Sequence, residues 1–200
     1  EHILPDIQDT PDWYDCATLE ESGNDSMDLE NYAAAEQAID RISLALGGKA
    51  VLPVASALIP AFLASPAWEK RRAALMALAY LAEGCASELQ KHLSATLNLI
   101  LNAFSDPHPR VRYAAIQALG QLCTDFSQTL QSTFHLPCMQ AILGAMSPSS
   151  SACLRVQTHA AACVINFCDV SDPVTLSPYL DALIESLICL LSSNSNPWAQ

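Results

Sequence analysis

The sequence predicts an all-α fold, an α-solenoid of stacked helix hairpins, on three observations. Apolar residues recur at a 3.6-residue spacing in eight segments, and β-branched alternation is nowhere sustained. Short breakers rich in Gly, Pro, Ser and Asp separate the segments. Finally, the chain resembles itself when shifted by 41 residues: Pro66 falls on Pro107, Arg71 on Arg112, Ala73 and Ala74 on Ala114 and Ala115, Ala77 on Ala118, Leu78 on Leu119, and Leu81 on Leu122. These are seven identities in the eighteen positions from Ser65 to Ala82.

Residues 1–30 are rich in Asp, Glu, Pro, Ser, Gly and Asn without helical periodicity, and read as an acidic mobile loop. Residues 31–200 read as the solenoid. The first helix is expected over 31–46, ended by Gly47-Gly48, and the second over 51–64, ended by Ser65-Pro66. Helices over 68–83 and 90–104 follow, the latter stopped by Asp106-Pro107-His108-Pro109. The remaining helices span 109–124, 135–146, 154–168 and 178–192, with loops at 147–153 and around Asp172-Pro173. A further shift of 45 puts Arg110, Val111 and Ala115 on Arg155, Val156 and Ala160, so the unit is a helix pair of 41 to 45 residues. A hairpin of that size cannot bury its apolar stripe alone, and stacking neighbours into one continuous core is the HEAT-type solution. About four repeats are expected, with a repeat interrupted at each end.

Composition bounds the function. The chain has 200 residues, 51% apolar and 15% charged, which suits a sizeable core. Its formal charge of -12 is unevenly placed: residues 1–40 hold twelve acids and no Lys or Arg, and the rest holds nine of each sign. Phosphate-driven nucleic-acid binding needs clustered Lys and Arg, so no direct nucleic-acid contact is expected, whereas basic partners suit the acidic front. No uninterrupted apolar run approaches the ~20 residues a spanning helix needs, and membrane insertion is not expected. The chain opens on Glu1 with neither a basic nor an apolar leader region, so no signal peptide is read. Cys85, Cys123, Cys163, Cys168 and Cys189 lie in apolar helical stretches and are expected to be reduced core thiols.

The strings DPHPRVRYAAIQALGQLCTDF (106–126), RVQTHAAACVINF (155–167), LGGKAVLP (46–53) and WEKRRAALMALAYLAEGC (68–85) closely resemble the middle repeats of importin-5-type karyopherins, nuclear import receptors of the importin-β family. PDWYD (11–15) and the acids after it resemble the acidic loop such receptors carry inside one middle repeat. The resemblance implies a central HEAT-repeat segment whose first helices line the convex surface. The second helices, 31–46, 68–83, 109–124 and 154–168, would line the concave one. It implies binding of basic nuclear localisation signals of cargo, release by the Ran GTPase in its GTP-bound form, nuclear pore FG proteins as further partners, and shuttling between cytoplasm and nucleus. It implies no catalysis, cofactor or metal. A HEAT scaffold that organises an enzyme complex, without Ran dependence, is the rival reading.

The candidate cargo site is a ladder on those second helices. Asp40, Glu83, Asp125 and Asn166 are 43, 42 and 41 residues apart, close to one repeat each. Gln117, Gln121 and Asp125 follow at i, i+4 and i+8 and form one polar stripe, and Asp169 lies on the same side as Asn166. Carboxylates suit lysine side chains, and the amides suit the backbone of an extended peptide. In the 41-residue register Asp125 falls on Gly84, which leaves Glu83 one position early; a solvated polar face is the plain alternative. Arg71, Arg112 and Arg155 begin successive second helices and are expected to tie repeats together, with Asp106 and Glu69 as counter-charges. Trp68 and Trp198 occupy equivalent turns and are expected to pack between helices.

Enzymatic motifs are weak. Gly47-Gly48-Lys49 lacks the remaining residues of a phosphate-binding loop. His2, His92, His108, His135 and His159 are dispersed, without zinc-ligand spacing. Asn24-Asp25-Ser26 matches a glycosylation sequon by coincidence.

Overall fold

The computed structural model describes residues 11–14, 26–148 and 153–193. After a short 3-10 turn at Pro11–Tyr14, the helices are α1 (Ser26–Leu46), α2 (Gly48–Leu63), α3 (Trp68–Leu81), α4 (Ala86–Leu89), α5 (Leu93–Ala103), α6 (Pro109–Asp125), α7 (Thr129–Met146), α8 (Leu154–Cys168), α9 (Pro173–Leu176) and α10 (Leu180–Ser193). Among the described residues there is no strand. The helices form two rows. In one, α1 packs on α3, α3 on α6, and α6 on α8; in the other, α2 reaches α5 through α4, and α5, α7 and α10 follow in turn. Each hairpin closes as α2 on α3, α5 on α6 and α7 on α8. This is the stacked-hairpin solenoid that the 41-residue repeat requires.

The core runs between the rows. Leu75 of α3, Leu97 and Ile100 of α5, Ile116, Leu119 and Leu122 of α6, Met139 and Ile142 of α7, and Phe167 of α8 are almost wholly buried. Each is contributed at helical spacing from one face of its helix, as the apolar stripe demands.

Helix boundaries follow local chemistry. Gly47 separates α1 from α2 with φ +72° and ψ 168°, a conformation essentially reserved for glycine, so the corner needs a single residue. Pro109 occupies the first turn of α6, where a missing N–H costs nothing, and the His108 side chain accepts from the Arg110 N–H. Asp172 caps α9 in the same way, accepting from the Thr175 N–H at 2.9 Å.

The repeat is visible in the arginines. Arg71 donates to the carbonyls of Ser65 and Pro66 and holds Asp106 with both a 2.7 Å and a 2.8 Å bond. Arg112, 41 residues on, donates to the equivalent carbonyls of Asp106 and Pro107. The Arg71–Asp106 pair joins one interhelical turn to the next, as the sequence reading of these arginines as ties expects. Burial pushes the Asp106 carboxyl up, but the bonds from Arg71 and from the His108 N–H outweigh it and hold it below its ordinary range.

Several expectations change. Helix α1 starts at Ser26 instead of 31, and Pro11–Tyr14, inside the stretch read as loop, is helical and packed against the solenoid. The rest of residues 1–25 lies outside the described residues, as do Trp198 and Cys16. The helix expected from 90 opens as a 3-10 turn at Gln90–His92 and becomes α-helical only in α5, and an unexpected short helix, α4, precedes it. Helix α7 begins at Thr129, with a kink at Phe134 three residues before Pro137, whose ring and absent N–H break the ladder there. Cys189 is exposed and not a core thiol, because it lies on the outward face of α10, whereas Cys85, Cys123 and Cys163 are buried as expected. No disulfide joins the seven described cysteines to one another.

Pro173–Ser192 is apolar enough on average, at a mean hydropathy of 1.6, to match a spanning segment by length and composition. It is broken into α9, a 3-10 turn and α10, and carries Asp181 and Glu185. Leu183 and Leu190 of α10 are buried where the helix packs on α7 and α8, whereas Val174, Leu180, Ile184, Ile188 and Leu191 are exposed, so only a small part of this apolar stretch is covered by the described residues.

Candidate acidic ladder on the row of second helices

The row α1–α3–α6–α8 carries every candidate side chain, and the helix ends set their environment. Asp125 is the last residue of α6, Asp169 caps the C-terminus of α8, and Glu83 lies just beyond the C-terminus of α3. Three carboxylates thus sit at the negative ends of three helix dipoles, where each is unfavourable by about 0.3 to 1 kcal/mol. Asp40 is in the last two turns of α1. Local stability would place lysine or arginine at such positions, and none of these helices has a basic residue in its last turn.

The structure draws three of the carboxylates into mutual range. Burial raises the Asp125 carboxyl above its ordinary pKa, the Gln121 amide opposes the rise, and the negative charges of Glu83 and Asp40 add to it. Glu83 therefore lies within electrostatic range of Asp125 in spite of its early register, in the turn that follows the end of α3 at Leu81. Gln121 Nε2 donates to Asp125 Oδ1 at 3.0 Å, while Asp125 Oδ2 is buried without a hydrogen-bond partner. One oxygen is fixed and the other is left for a donor that the described residues do not supply.

The amides are less uniform. Asn166, an exposed residue, donates from Nδ2 to the Gly120 carbonyl at 3.4 Å and so links α8 to α6. Gln117 is half-buried; its side chain and that of the exposed Asp169 form no hydrogen bond or ion pair among the described residues. The ladder is thus a close group, Asp40, Glu83, Gln121 and Asp125, with Gln117, Asn166 and Asp169 placed along it and not joined to it.

Two features of this row escape the repeat arithmetic. Glu36, one turn before Asp40, hydrogen-bonds the Tyr80 hydroxyl; burial first, and then this bond, raise the Tyr80 pKa. The i, i+4 spacing of Glu36 and Asp40 is the signal that could have found it. At Gly84, the backbone of α1 passes so close that an added Cβ would meet the Ser43 carbonyl carbon, the Ser43 hydroxyl and the Leu44 nitrogen. Buried Ser43 donates to the Asp40 carbonyl at 2.7 Å, so this crossing holds the end of α1 that carries Asp40.

An importin-repeat family model matches residues 2–53 and a HEAT-like repeat model matches residues 68–122. Importin subunit beta-3 of Saccharomyces cerevisiae is 37% identical over 189 residues, 94% of this chain and 17% of its own length. The chain belongs to the importin-β family of karyopherins. A solved structure of Kap121p bound to Pho4p superposes with a TM-score of 0.87 at 34% identity, covering 97% of this chain and 19% of that one. Kap121p bound to RanGTP superposes equally well, with a TM-score of 0.87 at 34% identity over the same shares. The probable importin subunit beta-4 of Schizosaccharomyces pombe is 28% identical over 137 residues, 68% of this chain and 12% of its own length. This karyopherin segment therefore spans under a fifth of the length of these relatives.

Proposed function

We propose that this segment forms part of a nuclear import receptor and holds a lysine-rich stretch of cargo along the row α1–α3–α6–α8. The observation that carries the reading is the Asp125 carboxyl: one oxygen buried without a partner, the pKa raised by burial first and then by Glu83 and Asp40, and the group set at a helix C-terminus. An extended peptide advances about 3.3 Å per residue and neighbouring helices lie roughly 8 to 10 Å apart, so lysines about three residues apart meet successive rungs. Each ion pair contributes only about 0.2 to 1 kcal/mol, and several rungs with backbone bonds to Gln117, Gln121 and Asn166 are needed for useful affinity. Asp169 extends the ladder by one carboxylate.

Release by GTP-bound Ran, passage between cytoplasm and nucleus, and contact with nuclear pore FG proteins complete the receptor reading. Support comes from the relatives: Kap121p has been solved with RanGTP, with Pho4p and with Nup53p. No catalytic step is part of the proposal.

The test is fluorescence anisotropy with a labelled lysine-rich peptide. Glu83→Ala with Asp125→Ala is expected to weaken binding about tenfold and to flatten its salt dependence, since the Debye length falls from about 10 Å at 0.1 M to about 3 Å at 1 M. Unchanged affinity and salt dependence would leave the ladder a solvated face.

A further inference from the structure

The opposite ends of α6 and α8 carry a second arrangement, unlike the ladder in charge. Arg110 opens α6, with 8% of its surface exposed, and Arg155 opens α8. Both guanidiniums lie over the ring of Trp13, with Cζ 4.8 Å and 5.2 Å from its centre. The Tyr113 ring meets Trp13 edge-on at 5.7 Å and stacks on His159 at 3.8 Å, with an interplanar angle of 10°. Burial lowers the His159 pKa to about 4, so this ring is neutral at physiological pH and acts as an apolar floor. On the α3 side, Trp68 stacks on His108 at 4.1 Å and Arg110 also reaches the Trp68 ring, so the arginine is held from two sides.

Trp13 comes from a segment far from these helices in sequence, the 3-10 turn Pro11–Tyr14, and it stands between Asp12 and Asp15 in the most acidic part of the chain. A ring under two guanidiniums contributes about 0.5 to 2 kcal/mol per contact, and the positive ends of two helix dipoles at the same place favour carboxylates nearby. An aromatic residue alone would not need the arginines, and an acidic run alone would not need the rings. The pocket matches the combination.

We propose that the N-terminal ends of α6 and α8 form a binding site for an aromatic side chain flanked by carboxylates, built by Arg110, Tyr113, Arg155 and His159, and filled in cis by Trp13. Because the occupant is tethered, its effective concentration is on the order of millimolar, and a partner segment of the same chemistry binds only by displacing it. The site is independent of lysine binding at the ladder, which lies at the other end of the same helices.

The experiment uses the whole chain and a labelled peptide of its residues 6–18. With Trp13→Ala, the vacated site is expected to take the peptide at least tenfold more tightly than the wild-type chain does, since no tethered competitor remains. The gain is expected to vanish when the peptide carries Ala in place of Trp13, and to vanish in Trp13→Ala with Arg155→Gln. Circular dichroism of each variant confirms the helices are kept; if Trp13→Ala does not fold, displacement of Trp13 in a wild-type chain carrying 5-fluorotryptophan by the unlabelled peptide, read by fluorine-19 NMR, replaces it. Equal binding by wild type and Trp13→Ala, no displacement, or equal binding of the Ala-substituted peptide would overturn the proposal.

Discussion

Gly84→Ala tests how the ladder is held together. The added methyl would fall on the Ser43 carbonyl carbon, the Ser43 hydroxyl and the Leu44 nitrogen, all far inside contact distance. Two of the three atoms are backbone, so no side-chain rotation relieves the clash and α1 must move away from the turn after α3. Overpacking of this kind costs about 1 to 3 kcal/mol. In a solenoid the loss falls on the interface touched, here α1 against α3, and the neighbouring α6–α8 interface is spared. A loss of about 2 kcal/mol corresponds to roughly 30-fold faster amide exchange in α1, at 1.4 kcal/mol per tenfold. Because Ser43 bonds the Asp40 carbonyl, the same movement carries Asp40 away from Asp125 and lowers the Asp125 pKa toward its ordinary value. The assay is hydrogen exchange read by mass spectrometry on wild type, Gly84→Ala, and Gly84→Ala with Ser43→Ala. The second substitution removes only the hydroxyl, so it is expected to restore little. Unaltered exchange in α1, or full rescue by Ser43→Ala, would refute a backbone-limited crossing.

Three further outcomes are expected. Asp106→Ala removes the partner of Arg71, whose side chain is 14% exposed, and is expected to cost about 3 kcal/mol, measured by urea unfolding. Gly120→Ala brings a methyl to 3.1 Å from Asn166 Nδ2, the end of an exposed side chain that can yield; the gain in helix propensity is expected to raise stability by up to ~1 kcal/mol, seen as a higher Tm. The raised Asp125 carboxyl binds its proton more readily in the folded state, so its stabilising effect is complete below the unfolded value near 3.8 and is lost as pH rises through the folded pKa. Glu83→Gln is expected to lower that folded pKa and flatten the loss, as followed by unfolding across pH 3 to 7.

The solenoid was legible in the sequence because its repeat rests on residues with one geometric role each. Arg71 and Arg112 bind equivalent carbonyls, and the stripes ending in Leu81 and Leu122 face the same core, so a 41-residue shift exposes the architecture. The candidate site was legible in part. Asp40, Glu83 and Asp125 are spaced close to one repeat each, but Glu83 is one position and Asp40 three positions early in the 41-residue register, and Gly84 looks like an ordinary loop glycine until the α1 backbone is laid against it. Trp13 was hidden by its surroundings: periodicity cannot register a single ring in an acidic stretch, and its pocket is assembled from two helices about a hundred residues and more away. Cys189 was misjudged because α10 has apolar residues on more than one face, and only packing decides which face turns inward.

The most direct measurement of the central claim is the Asp125 carboxyl itself, followed by carbon-13 NMR with and without a lysine-rich peptide. A cation brought to its unpartnered oxygen opposes burial and the repulsion from Glu83 and Asp40, so the account predicts a pKa that falls when the peptide binds and tighter binding as pH rises through it. A bound peptide that leaves the Asp125 titration where it was would contradict the account.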